Sequence, residues 1–307
     1  MALWREARQS AAARFEEPDY AALLDSVRGI RWPARSAVRG GIPGAHTSRM
    51  RGASAEFTEY RPYRQGDDLR RIDWKLFARS NRAYIRLSND RAILPTTIVL
   101  DASASMAFPV GSLGKWTLGA QAAVALAAVA RNSADPVGLV VARENDLIQL
   151  PPRTRQSVIN EMVRAVQDTR PSGNDPLTPA FDAAARMSGR IVIVSDFLGE
   201  GDDLLAAASR AVVAGKEVHA LHVIAPEEID PPRETVLVSD PERPDIRRPL
   251  TGDARDAYLL AFGAWRDRVA HEWSESGVAY SVAIVGEEAP DHLVRRFTSP
   301  RGIAATA

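Results

Sequence analysis

The feature of this sequence that most limits its fold is a regular alternation of strand-like and helix-like segments from Ile93 onward. The strand-like segments are short runs of apolar and β-branched residues, whereas the helix-like segments are longer and either amphipathic or rich in alanine. We predict strands at 97–100, 137–142, 146–150, 191–194, 217–224 and 278–285, and helices at 115–131, 155–167, 178–187, 202–214 and 254–276. This alternation predicts an α/β fold with a doubly wound, mostly parallel sheet covered by helices on both faces.

The first 92 residues follow a different pattern. Residues 4–28 have the apolar spacing of one or two helices, broken near Pro18, and residues 57–60 and 84–87 alternate as short strands do. We therefore predict a small N-terminal helical and β-containing extension over 1–92 and a second domain over 93–307. Trp74 and Phe77 are expected to anchor the extension on that domain, and residues 226–251 are expected to add an edge hairpin.

Composition narrows the class of protein. Hydrophobic residues make up 45% and charged residues 25%, which is typical of soluble globular proteins, and cysteine is absent, so only oxygen or imidazole ligands are left for a metal. Residues 1–92 carry 18 Lys and Arg against 11 Asp and Glu, a net charge of +7, which leaves −7 for the remainder. Because the arginines are interleaved with acidic residues, this asymmetry favours an internal or protein-facing interface over binding to nucleic acid or anionic lipid.

Two acidic residues follow predicted strands. Asp101 directly follows the strand at 97–100, and Asp196 comes just after the strand at 191–194. Ligands bind at the carboxyl ends of the strands in doubly wound sheets. Ser103 and Ser105 add hydroxyl oxygens close to Asp101, and hard oxygen ligands suit Mg²⁺ or Mn²⁺. The plainer interpretation is a loop whose serines cap the turn that follows.

These residues resemble the metal site of von Willebrand factor A-like domains, in which the first strand ends in Asp-x-Ser-x-Ser and a later strand ends in Asp. Asp101, Ser103, Ser105 and Asp196 match those elements. The family also has a threonine in an intervening loop. Here the best match places Asp175 at that position, with Thr178 three residues later, so the resemblance leaves two candidates for this ligand. It implies a Mg²⁺ or Mn²⁺ site completed by an acidic side chain of a protein partner.

A second and more specific resemblance lies in residues 57–74. This segment is similar to the signature Phe-x-Glu-x-Arg-x-Tyr-x-x-Gly-Asp-Asp-x-Arg-x-Ile-Asp-Trp of the bacterial family called domain of unknown function 58, which precedes a von Willebrand A-like domain. The resemblance implies an adaptor or chaperone-like role beside a MoxR-type AAA+ ATPase. Many relatives carry two N-terminal membrane helices. This sequence has no comparable apolar stretch and resembles the shorter branch, so a cytoplasmic location is expected.

The signature block has two interpretations. It forms either a structural clasp that holds the N-terminal segment to the sheet or a surface that docks a partner, because arginine forks favour bidentate contacts with carboxylates in both settings. The residues concerned are Glu59, Arg61, Tyr63, Gly66, Asp67, Asp68, Arg70, Arg71, Asp73 and Trp74.

Other functional classes have weaker support. Asp101, Asp175 and Asp196 could form an acidic cluster for metal-assisted hydrolysis, but none of the five histidines lies in these loops, and His219 and His222 are expected in the core. Aromatic residues within the basic N-terminal part are compatible with binding to single-stranded DNA, which a salt-dependent binding assay would test. We therefore predict a non-enzymatic, metal-dependent protein-interaction module.

Overall fold

The structure is a computed structural model that describes residues 16–34, 57–65, 69, 72–88, 93–233, 236–239 and 247–299. Its contacts divide the chain into two compact units, Met1–Ser36 with Leu94–Ala307 and Ala37–Ile93. The larger unit contains a six-stranded sheet and a separate two-stranded sheet, and the smaller unit contains a two-stranded sheet of its own.

The described elements follow one another as helices and strands with these bounds. In chain order they are α1 (Tyr20–Ser26), β1 (Phe57–Pro62), α2 (Trp74–Ser80), β2 (Tyr84–Ser88), β3 (Thr96–Asp101), a 3₁₀ turn (Ala104–Ala107), α3 (Gly114–Asn132), β4 (Val137–Arg143), β5 (Asp146–Arg153), α4 (Ser157–Gln167), α5 (Thr178–Met187), β6 (Arg190–Ser195), α6 (Asp202–Val213), β7 (Glu217–Ile224), α7 (Pro226–Ile229), β8 (Val236–Ser239), β9 (Arg247–Leu250), α8 (Gly252–Glu275), β10 (Ala279–Ile284) and α9 (Pro290–Thr298).

The central sheet of the larger unit has the strand order β10-β7-β6-β3-β4-β5. All neighbouring strands are parallel except β5, which pairs antiparallel with β4 as a hairpin. Every predicted strand and helix of residues 93–307 has a counterpart within a few residues of its expected position. The predicted doubly wound, mostly parallel sheet is therefore confirmed.

The central strands are buried on both faces because their side chains are apolar at odd and even positions alike. Strands β3, β6 and β7 are buried along their whole lengths. Alternate residues divide between two apolar cores: Ile98 and Leu100 pack on the face covered by α1, α3, α4 and α9, whereas Val99 packs on the face covered by α5, α6 and α8.

Helix α3 lies against the middle of the sheet because most of its residues are small. Of its 19 residues, 15 are buried, and seven of those are alanine. At Gly119 an added Cβ would lie 3.1 Å from Met106 and 3.4 Å from Val194, so the helix axis lies close to the strands. Although α3 is buried and apolar, no helix among the described residues meets the length and hydropathy that crossing a bilayer requires.

The N-terminal residues 16–34 pack into the core of the larger unit. Tyr20, Leu23, Val27 and Trp32 are all buried in the apolar cluster that α3 contributes to. The Trp32 backbone N–H also donates to Ser133 Oγ at 2.7 Å. The unit boundaries therefore differ from the predicted division at residue 92, because the apolar side chains of residues 16–34 complete the core of the unit that contains the central sheet.

The smaller unit is built on the antiparallel pair β1 and β2, as the alternating patterns at 57–60 and 84–87 predict. Helix α2, which the pattern did not predict, begins where the Asp73 carboxylate accepts hydrogen bonds from the backbone N–H groups of Lys75 and Leu76, both at 3.0 Å. Trp74 and Phe77, which were expected to anchor this unit, have exposed fractions of 60% and 37%, and their anchoring role stays a prediction. Their rings contact each other edge to face.

The predicted hairpin within 226–251 is present as strands β8 and β9, which pair antiparallel from Val236↔Leu250 to Ser239↔Arg247. It forms a sheet of its own and does not extend an edge of the central sheet. Leu237 is 71% exposed and Val238 is 41% exposed, so these two side chains add little apolar burial to the larger unit.

Candidate functional site

The candidate site lies at the carboxyl end of the central sheet, where β3 and β6 are neighbours. From β3 the chain crosses to β4 on one side, and from β5 it returns to β6 on the other side, so the crevice between β3 and β6 is a topological switch point. Asp101 ends β3, and Asp196 follows the last residue of β6. The topology therefore brings together the two carboxylates that the sequence singled out.

Asp101 is buried, and both of its carboxylate oxygens accept hydrogen bonds. Oδ1 accepts from the backbone N–H of Ser103 at 2.8 Å, and Oδ2 accepts from the hydroxyl of Ser195 at 2.6 Å. Burial, and then the nearby negative charge of Asp196, raise the pKa of Asp101 to about 6, although these hydrogen bonds act in the opposite direction. A positive charge at this position would relieve that electrostatic cost.

Ser103 and Ser105 follow Asp101 at the entry to the 3₁₀ turn. Ser105 is buried and Ser103 is half-buried, and their Oγ atoms are 3.0 Å apart. The turn therefore brings the two hydroxyls within hydrogen-bond distance of each other, and the backbone N–H of Ser103 binds Asp101. The predicted Asp101, Ser103 and Ser105 are thus brought together.

Asp196 is held by contacts that the sequence did not reveal. Its Oδ1 accepts from the backbone N–H of Leu198 at 3.0 Å, and its Oδ2 accepts from the ammonium of Lys115 at 2.6 Å. Lys115 is the second residue of α3, and its side chain has an exposed fraction of 1%. No local signal distinguishes this lysine from an ordinary solvent-facing residue at the start of a helix.

Lys115 also contacts a second carboxylate, that of Glu228 in α7. The Nζ–Oε1 distance is 2.7 Å, and Glu228 Oε2 accepts from the backbone N–H of Ala225 at 2.7 Å. Burial acts to lower the pKa of Lys115, but the charges of Asp196 and Glu228 more than offset it, so this pKa lies above its usual value and the ammonium stays charged. Lys115 therefore links the ends of β6 and β7 through a buried ion-pair triad.

Glu200 is a further acidic residue of this site that the sequence reasoning missed. Its Oε1 accepts from the backbone N–H of Leu177 at 3.0 Å, which ties the loop after β6 to the start of α5. Burial, together with the charges of Asp101 and Asp196, raises the pKa of Glu200 to about 7. Its place four residues after Asp196, in the same strand-end loop, is the signal that could have identified it.

Asp175 and Thr178, the two candidates for the remaining ligand, have other surroundings. Asp175 is exposed, and its carboxylate accepts from the backbone N–H of Asn145 in the turn between β4 and β5. Thr178 begins α5 and is half-buried. Asp175 thus serves to cap the hairpin turn, and Asp196 is the acidic residue whose charge acts on Asp101.

The signature block of the smaller unit is described only in part. Gly66, Asp67, Asp68, Arg70 and Arg71 lie outside the described residues, as does the side chain of Glu59. Among the others, Asp73 caps α2, Arg61 and Tyr63 are half-buried, and Trp74 is exposed. An N-cap role for Asp73 is structural, whereas the exposed Trp74 is compatible with docking, so the block keeps both interpretations.

The donors around Asp101 fit a small divalent cation in one respect. Six oxygens at about 2.1 Å from Mg²⁺ form an octahedron with edges of about 3 Å. The Oγ atoms of Ser103 and Ser105 are separated by 3.0 Å, which matches such an edge and equally a hydrogen bond. Within the described ranges, no group of three or more His, Asp and Glu side chains has metal-ligand spacing, so a cation here would depend on serine hydroxyls and water.

A known protein family matches about two thirds of this chain. The model of a family described as protein of unknown function DUF58 matches residues 59–260, which include the signature block and the candidate site. The chain belongs to the DUF58 family. This match confirms the resemblance carried by the signature, and the family's own description leaves its function open.

Relatives and solved structures with similarity to this chain come from several organisms. The DUF58 chain is 30% identical over 263 residues to uncharacterised proteins of Mycobacterium bovis (Mb1516) and Mycobacterium tuberculosis (Rv1480), covering 83% of this chain and 81% of theirs. Among solved structures, it is similar to the hypothetical protein BatB of Bacteroides thetaiotaomicron, with a TM-score of 0.42, 18% identity, and coverage of 65% and 95%. It is also similar to the von Willebrand A domain of SpRpn10, with a TM-score of 0.40, 14% identity, and coverage of 69% and 98%.

Proposed function

We propose that this DUF58 protein is a non-enzymatic interaction module, an adaptor, that presents the carboxyl end of its central sheet to a protein partner. Asp101, Ser103 and Ser105 would hold Mg²⁺ or Mn²⁺ there, with water. When bound, the cation supplies an open coordination position for an acidic side chain of the partner. Partner binding would then depend on occupancy of the site by the cation.

The observation that carries this proposal is the arrangement of Asp101, Ser103 and Ser105 at the switch point of the sheet. The Asp101 carboxylate is buried beside Asp196, at a cost that its raised pKa reflects. A structural loop would gain nothing from that cost, whereas a cation would offset it. The two serine hydroxyls, 3.0 Å apart, add neutral oxygen donors at the same point.

The identity of the partner rests on the family resemblance alone. That resemblance favours a MoxR-type AAA+ ATPase, beside which this protein would act in the assembly or maturation of a complex. An exposed Asp or Glu on such a partner is the group that would reach the open position.

The proposal is tested by capture of the purified MoxR-type ATPase from the same genome, in Mg²⁺ and in EDTA. We expect Asp101→Ala to abolish the Mg²⁺-dependent part of capture while its circular dichroism spectrum stays that of the wild type. Asp182→Ala, which removes an exposed carboxylate of α5, is the matched control and should capture normally. Full capture by Asp101→Ala would contradict the proposal and would move the docking surface to the signature block.

A metal-dependent hydrolase is the second candidate. It has in its favour the raised pKa of Asp101 and of Glu200, to about 6 and about 7, since carboxyls that titrate near neutral pH suit general acid and base roles. This alternative predicts Mn²⁺-dependent hydrolysis of a generic phosphoester by the wild type that is lost in Asp101→Ala. The adaptor proposal predicts no turnover in either protein.

A further inference from the structure

Lys115 is the buried cation of the candidate site. Its ammonium lies 2.6 Å from Asp196 Oδ2 and 2.7 Å from Glu228 Oε1. On another side, the ring centroid of Phe108 lies 5.7 Å from Nζ. The ammonium is therefore enclosed by two carboxylates and an aromatic face, with 1% of the side chain exposed.

This placement is unfavourable for a lysine unless its charge has a specific role. A cation in the first turn of a helix opposes the helix dipole, and a buried ammonium loses its hydration. Both costs fall on Lys115, because it is the second residue of α3 and is fully buried. Asp196 and Glu228 compensate for them through short, charge-assisted hydrogen bonds.

The lysine changes what Asp196 can do. Both Asp196 oxygens already accept hydrogen bonds, from Leu198 N–H and from Lys115. A divalent cation that took Asp196 Oδ2 as a ligand at about 2.1 Å would lie within about 5 Å of the Lys115 ammonium. Two positive charges at that separation repel each other strongly in a buried site.

We infer that the Lys115 ammonium binds the Asp196 carboxylate in the place of a metal ion. It thereby sets the affinity of the Asp101, Ser103 and Ser105 loop for a divalent cation. In this arrangement Asp196 is a partner of the lysine and not a direct metal ligand. The inference deepens the proposed function and rests on its assignment of that loop as the cation site. Lys115 is accordingly a residue that keeps the affinity of the loop for the cation low.

The test is titration of MnCl₂ and of MgCl₂ into the full chain by isothermal calorimetry, with thermal unfolding followed in parallel. We expect Lys115→Met to bind Mn²⁺ at least about tenfold more tightly than the wild type, as a change in the shell around a metal ligand does. Its thermal midpoint should also rise more steeply with Mn²⁺. Equal affinity in the two proteins, or no binding by a folded Lys115→Met, would overturn the inference.

Three further variants isolate the cause. Lys115→Arg keeps a cation beside Asp196, and Lys216→Met removes a lysine whose ammonium donates to the backbone carbonyl of Ser188, so both should bind Mn²⁺ as the wild type does. In Lys115→Met with Asp196→Asn the gain in affinity should disappear. If the double variant still binds Mn²⁺ more tightly than the wild type, Asp196 is not the group that Lys115 keeps from binding the cation.

The role of Lys115 can be tested even if the Lys115→Met variant does not fold without metal. Lys115→Met leaves two buried carboxylates without a counter-charge, so Lys115→Met with Glu228→Gln serves as a second variant in which only Asp196 lacks its partner. If either variant unfolds without metal, Mn²⁺ should restore its thermal transition, and failure to restore it in both would overturn the inference.

The two proposals fail separately. If Asp101→Ala keeps partner capture but Lys115→Met gains Mn²⁺ affinity, the adaptor mechanism is wrong and the role of Lys115 stands. If capture depends on Asp101 and Mg²⁺ but Lys115→Met binds Mn²⁺ no more tightly, the adaptor mechanism stands and the role of Lys115 is wrong.

Discussion

Arg190, the first residue of β6, is fully buried at the end of the sheet opposite to Asp101. Its guanidinium donates to Glu217 Oε2 at 3.0 Å and to Asp135 Oδ2 at 3.3 Å, and it lies over the ring of Trp32 with its Cζ atom 4.3 Å from the centroid. Such a charge is tolerated in the interior only when it is paired and hydrogen-bonded. This cluster therefore joins β6, β7, the loop before β4 and the N-terminal segment.

Asp135 in this cluster should make stability depend on pH. Burial raises its pKa from 3.8 to about 6, even though Leu94 N–H and Arg190 act to lower it. Between about pH 4 and pH 6 the folded carboxyl keeps a proton that the unfolded one has lost, so the stability that this proton contributes falls as the pH rises. The free energy of unfolding of the wild type should therefore fall between pH 4 and pH 6. In Asp135→Asn we expect this fall to be smaller by about 1–2 kcal/mol.

Urea unfolding at pH 4, 5, 6 and 7 would measure this difference. Asp182→Asn, at an exposed carboxyl, is the control and should keep the wild-type dependence on pH. Identical pH dependence in the wild type and Asp135→Asn would show that folding does not raise the pKa of Asp135.

At the scale of elements, the pairing of β4 with β5 has little tolerance for added volume. Gly138 lies in β4 beside a register shift between Val137 and Leu139. A Cβ atom there would lie 2.7 Å from the backbone oxygen of Leu150 and 2.9 Å from the backbone nitrogen of Pro152. These are main-chain atoms, so the contact could be relieved only by moving the strand.

We therefore expect Gly138→Ala to lower the free energy of unfolding by about 1–3 kcal/mol, the usual cost of overpacking. Gly263 in α8 is the matched control, because an added Cβ there has no neighbour within 4 Å. Gly263→Ala should raise the free energy of unfolding by about 0.5–1 kcal/mol through helix propensity. Chemical denaturation of both variants would test the pair, and unchanged stability in Gly138→Ala would show that the hairpin can shift.

At the scale of the whole molecule, the N-terminal segment is part of the body that carries the site. The ring of Trp32 lies 4.9 Å from His219 and 5.7 Å from Phe297, centroid to centroid, so it contacts both β7 and α9. The side-chain amide of Asn132 donates to the carbonyls of Val27 and Ile30, each at 3.2 Å. Residues 16–34 thus seal one apolar face of the sheet.

The two tryptophans Trp32 and Trp74 provide a test of this organisation. Trp32 is 2% exposed and Trp74 is 60% exposed. Trp32→Ala should lower the free energy of unfolding by about 3–5 kcal/mol, because it leaves a large cavity. Trp74→Ala should change it by no more than about 0.5 kcal/mol, as surface substitutions do. Guanidinium unfolding measures both, and equal losses would contradict the assignment of Trp32 to the core.

The sequence was sufficient for the α/β class, the parallel strands and the meeting of Asp101 with Asp196. These follow from local properties, since runs of apolar and β-branched residues specify buried strands, and parallel strands end at one edge of a sheet. The closeness of Asp101 and Asp196, which follow two such strands, could therefore be predicted without knowledge of individual contacts. His219 and His222 were likewise correctly expected in the core, and both are buried.

Only the tertiary structure decided how the charges at that edge are balanced. Lys115 meets Asp196 across 81 positions of sequence and Glu228 across 113, and the charge of Asp101 acts on Glu200 from a different loop. A lysine in a helical first turn has the same local pattern whether it faces solvent or a buried carboxylate. The electrostatics of the site depend on the distances between charged groups in space. The packing of helices on the sheet determines these distances, and they cannot be read from the order of residues in the sequence.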